Sequence, residues 1–125
     1  MSTGAGAGAA LAMVLCLAAG ACRDRAEPAA MPAPVSEIEA RRGLDACQDY
    51  ATKVCACSAG KPEDAALREL CELAPAKQSA LEMVLEVNRT TQSAQERFKT
   101  ADTVQRYARS CIEGISDLAP RGCSR

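Results

Sequence analysis

The sequence predicts an all-α fold, a small helical bundle of three to four helices stapled by disulfides. Three Ser-x-x-Glu capping boxes stand before apolar patterns of helical period, at Ser36 with Glu39, Ser79 with Glu82 and Ser93 with Glu96. Strand signals are close to absent, and six cysteines lie between residues 47 and 123. The large apolar supply beyond residue 22 is lean for a domain of this size: seven Leu, three Ile, five Val, two Met, one Phe and two Tyr. Disulfides are the expected compensation.

The first helix, about 37–58, sets Ala40, Leu44, Cys47, Ala51, Val54 and Ser58 on one face and is ended by Gly60. The second is expected to start at Pro62, with Glu63 and Asp64 in the first turn. It would bury Ala66, Leu67, Leu70, Cys71 and Leu73 before Pro75 interrupts it. A short helix over about 80–87 presents Leu81, Val84 and Leu85, and Asn88 to Gln92 reads as a loop. The last helix, about 94–115, aligns Phe98, Ala101, Val104, Gln105, Ala108, Cys111, Ile112 and Ile115, with Gly114 as a stop signal. Tyr50 reads as a bundle side chain with its hydroxyl at the surface.

The N-terminal third has a different character. All 15 Lys and Arg and all 16 Asp and Glu lie after residue 22. The uncharged run over 5–21, AGAGAALAMVLCLAAGA, has the length and small-residue end of a secretory signal rather than a membrane span. Residues 23–35, RDRAEPAAMPAPV, hold Pro28, Pro32 and Pro34 and read as a polyproline-like tether of about 3.1 Å per residue. The domains expected are therefore 1–21 as signal peptide, 22–35 as modified N-terminus and tether, and 36–125 as the six-cysteine helical domain.

Ala19-Gly20-Ala21-Cys22 resembles the lipobox of bacterial lipoproteins. The resemblance implies that the Cys22 thiol carries a diacylglyceryl group, that cleavage falls before it, and that the new amino group is acylated. It makes membrane lipid the partner of the chain through Cys22. In the enterobacterial sorting rule, Arg23 directly after the lipidated cysteine leans toward the outer membrane. Ordinary signal-peptidase cleavage after Ala21, giving a freely secreted helical effector, and an uncleaved anchor are the competing readings. Cysteine parity favours lipidation: once Cys16 leaves with the signal and Cys22 is acylated, six cysteines remain, an even set.

Helix register suggests how the six pair. A hairpin centred near residue 60 sets Cys47 beside Cys71. A last helix returning along the first sets Cys111 beside Cys55, and leaves Cys57 for Cys123.

Several chemistries are excluded or disfavoured. The chain has no histidine. It therefore cannot supply a catalytic triad, a Cys-His pair or a histidine-ligated metal. The formal charge of −1, with both signs interspersed, gives no footprint for nucleic acid. Cys55-Ala56-Cys57 is the most suggestive local motif, a candidate thiol-disulfide pair or soft-metal site. Yet two residues on a helix are about 200° apart, which suits two staples leaving opposite sides. Glu63 with Asp64 and Glu69 with Glu72 fit solvated helix surface better than acid–base pairs. Asn88-Arg89-Thr90 matches a glycosylation sequon, a three-residue pattern of low specificity that a bacterial lipoprotein would ignore. The expectation is a membrane-anchored envelope protein with a non-catalytic helical module and no cofactor, with the Cys55–Cys57 redox or metal reading as the alternative.

Overall fold

Three helices are built end to end with short connections in the computed structural model, which describes residues 30–123. They are α1 (Glu37–Gly60), α2 (Ala65–Thr90) and α3 (Ala94–Ser116), followed by a single 3-10 turn at Ala119–Arg121. The signal segment, Cys16, Cys22 and the start of the tether lie outside the described residues.

Each helix starts at a side-chain cap. Ser36 and Glu39 complete a reciprocal capping box on α1. Asp64, rather than Pro62, opens α2: its carboxylate accepts from the Leu67 amide, and Pro62 lies in the preceding turn. Ser93 accepts from the Glu96 amide at the start of α3, while the Glu96 carboxylate accepts from the Thr91 hydroxyl instead of reaching back to the cap.

The expected break at Pro75 does not occur. Pro75 and the Ser79–Glu82 box both lie inside α2, and the loop between α2 and α3 is Thr91–Ser93. Proline leaves the Cys71 carbonyl without its helical donor, at a typical cost of about 3 kcal/mol. Buried Leu67, Ala74 and Leu81 on both sides of Pro75 hold the helix through the defect.

The core follows a seven-residue interval. Leu67, Ala74, Leu81 and Asn88 on α2, and Val104, Cys111 and Leu118 from α3 onward, are buried at successive sevens, while α1 buries Gly43, Cys47, Tyr50 and Val54 at steps of four and three. This is the spacing of a left-handed bundle with shallow crossing angles. Several expected core residues fall outside it: Ala66, Leu73, Gln105, Phe98 and Ile112 are exposed.

Gly114 is not a stop. α3 continues to Ser116, and a Cβ at residue 114 would meet the Tyr50 ring at 2.6 Å. The glycine makes room for Tyr50, which is buried between the helices rather than surface-facing.

Residues 30–36 carry no helix or strand, yet they are held by the bundle. The Val35 amide donates to Asn88 Oδ1 at 2.8 Å, and Arg97 donates to the Pro32 carbonyl at 3.0 Å. The last part of the expected free tether is thus docked against the α2–α3 end.

Candidate functional site

The disulfides are built from α1 outward. Cys47 pairs with Cys111 at a Cα–Cα distance of 4.9 Å, Cys55 with Cys71 at 4.7 Å, and Cys57 with Cys123 at 5.4 Å. Two expected pairs, Cys47–Cys71 and Cys55–Cys111, are therefore corrected, whereas Cys57 meets Cys123 as the register placed it. The turn over 61–64 centres the α1–α2 hairpin nearer 63 than 60, which brings Cys55 rather than Cys47 level with Cys71. The other two bonds span nearly equal separations, 64 and 66 residues, because α3 runs parallel to α1.

These bonds differ in setting. Cys47–Cys111 is fully buried at mid-bundle. Cys55–Cys71 ties α1 to α2 one turn before Pro75, with the Cys55 sulfur 3.5 Å from the Cys71 carbonyl oxygen that Pro75 leaves free. Cys57–Cys123 pins the C-terminal turn: Gly122, at φ 74°, reverses the chain and the Cys123 amide donates to the Leu118 carbonyl. Chain-entropy estimates give about 4 kcal/mol for closing a loop of 64 residues and about 3 kcal/mol for one of 16.

Cys55 and Cys57 thus leave α1 toward different elements and do not form a pair. Among the described residues, no group of three or more His, Cys, Asp or Glu is arranged to hold a metal ion. A groove of about 680 Å³ lies beside the third disulfide, floored by Ala56, Cys57, Ile115, Leu118 and Cys123. Its two lysines are engaged internally: Lys61 donates to the Arg121 carbonyl and Lys53 to Asp49 at 2.8 Å. The expected carboxylate pairs do not become acid–base sites, since Asp64 is a helix cap and Glu63, Glu69 and Glu72 are exposed.

Among the described residues, Tyr50 is the ionisable group most altered by the fold. Burial raises its phenol pKa from the ordinary value; Arg121 opposes the shift and Asp117 adds to it. Lys77 sits over its ring at 4.9 Å from the centroid.

The polar centre that periodicity missed is Asn88. Its amide donates to the Arg97 carbonyl and the Thr100 hydroxyl, both at 2.9 Å, while Oδ1 accepts from Val35. Arg97 completes the cluster by donating to the carbonyls of Asn88, Thr91 and Pro32. With its side chain buried and its amide hydrogens engaged, Asn88 is no acceptor for a glycan in the folded state. The signal was present in the sequence, since residue 88 continues the 67, 74, 81 series.

No protein-family model, curated protein or solved structure matches the chain. Among the described residues, no helix is long and apolar enough to cross a membrane.

Proposed function

We propose that the chain is a lipid-anchored protein of a bacterial envelope, acylated on Cys22 and sorted to the outer membrane, whose helical bundle serves as a non-catalytic interaction or structural module. The observation that carries this reading is cysteine use. All six cysteines of the folded domain are engaged in three disulfides, so cleavage at Ala21 leaves Cys22 as the single cysteine outside the staples. Disulfides of this number belong to an oxidising compartment, which an exported chain reaches. Two or more acyl chains hold a protein stably where one is marginal, at about 0.8 kcal/mol per buried methylene. The alternative, a redox or soft-metal protein working through Cys55 and Cys57, is disfavoured by their placement in separate bonds.

Fractionation of cells expressing the Cys22→Ala chain tests the proposal. The unaltered chain is expected in the membrane fraction, resistant to salt, and the variant in the soluble exported fraction. A variant that stays in the membrane although its signal has been removed, as read from its N-terminal sequence, contradicts lipidation at Cys22.

A further inference from the structure

Because α1 and α3 run parallel and α2 antiparallel to both, the first turns of α1 and α3 and the last turn of α2 share one end of the bundle. Seven large hydrophobic side chains are exposed among the described residues, and four of them belong to this end: Met31, Ile38, Val87 and Phe98. Ile38, at 66 %, is the most open of the seven, and Phe98 matches Met83 at 65 %. The 64-residue offset of the Cys47–Cys111 bond sets Phe98 level with residue 34, about 6 Å along the axis from Ile38. Their burial would add apolar area that the lean core does not use.

The same end receives the N-terminal chain. Val35 and Pro32 are fixed there by Asn88 and Arg97, so Ala30 and Met31 approach the bundle at this end. From Cys22 to Ala30 the chain can span at most about 28 Å, whereas α1 alone is about 36 Å long. A chain acylated at Cys22 therefore holds this end within about 28 Å of the bilayer, a limit that the far end does not share. Charges at this end nearly balance, with Arg41, Arg42, Arg89, Arg97 and Lys99 against Glu37, Glu39, Glu86 and Glu96. The apolar side chains, not net charge, favour contact.

We infer that this end of the bundle is a lipid-docking surface, with Phe98 and Ile38 inserted among the headgroups and upper acyl chains of the bilayer that holds the anchor. The inference rests on lipidation of Cys22, and it adds an orientation: the bundle is seated on the membrane, with its groove and third disulfide pointing away.

The sequence has no tryptophan, so single tryptophans report without background. The full chain, purified from membranes, is reconstituted into vesicles of phosphatidylethanolamine and phosphatidylglycerol with brominated acyl chains. Phe98→Trp and Ile38→Trp are compared with Leu73→Trp, an exposed site about 25 Å from this end of α2. Both probes at the docking end should shift to the blue and lose most of their emission, while Leu73→Trp keeps its own. Vesicle-bound protein whose Phe98→Trp and Ile38→Trp probes stay unquenched overturns the docking surface and leaves the anchor intact. Blue-shifted but unquenched probes in a cross-linked dimer put a second copy there and also overturn it. Protein that does not co-sediment with vesicles overturns both the anchor and the surface.

Discussion

Tyr50 and Gly114 show how much of this core depends on single atoms. The ring occupies the space where a side chain at residue 114 would begin, so a methyl group placed there must displace an aromatic ring rather than the end of a flexible chain. Gly114→Ala is accordingly expected to lower stability by about 1–3 kcal/mol, despite the higher helix propensity of alanine. Combining it with Tyr50→Leu should recover part of that loss, because the clash and the ring disappear together. Thermal unfolding of the two single variants and the double variant measures the coupling; a neutral or stabilising Gly114→Ala would show that the ring does not sit there. At this scale the sequence is ambiguous, since a glycine two residues before a helix end looks the same whether it stops the helix or admits a neighbour.

At the scale of the element, Pro75 is the informative case. Local rules end a helix at such a residue, yet α2 passes through it because burial on either side outweighs one lost hydrogen bond. Pro75→Ala restores a donor to the Cys71 carbonyl and gives back some unfolded-state entropy, for an expected net gain of about 1–2 kcal/mol in chemical denaturation. Destabilisation would mean instead that Pro75 itself is required to bring Cys71 to Cys55. The start and end of α1, the start of α3 and the caps Ser36 and Ser93 were legible from the chain because capping is local. The two expected helices between Pro62 and Val87 are one helix, because continuity was decided by tertiary burial that no window of sequence contains. The 67, 74, 81, 88 series is the trace that burial leaves.

For the whole molecule, disulfide pairing depended on those element boundaries. Each residue of error in the hairpin centre moves the facing partner by two, so a centre near 60 instead of 63 exchanges Cys55 for Cys47 opposite Cys71. Merging two helices into α2 also sets the direction of α3: with three helices it runs parallel to α1, and Cys111 falls beside Cys47. The fold class was readable because capping, periodicity and a lean core all agree. The pairing was not, because it is a property of register across the bundle. Docking of Pro32 and Val35 on Asn88 and Arg97 was hidden for the same reason, being a contact between residues 53 or more positions apart.

The anchored, fully stapled chain is tested most directly by the intact mass of the protein taken from its native membrane, before and after reduction and alkylation. The expected species is a chain beginning at Cys22 that carries the thioether diacylglyceryl and the amide-linked acyl group, is six hydrogens lighter than its thiol form, and takes up six alkyl groups only after reduction. An unmodified Cys22, or any alkylation of residues 47–123 before reduction, would contradict it.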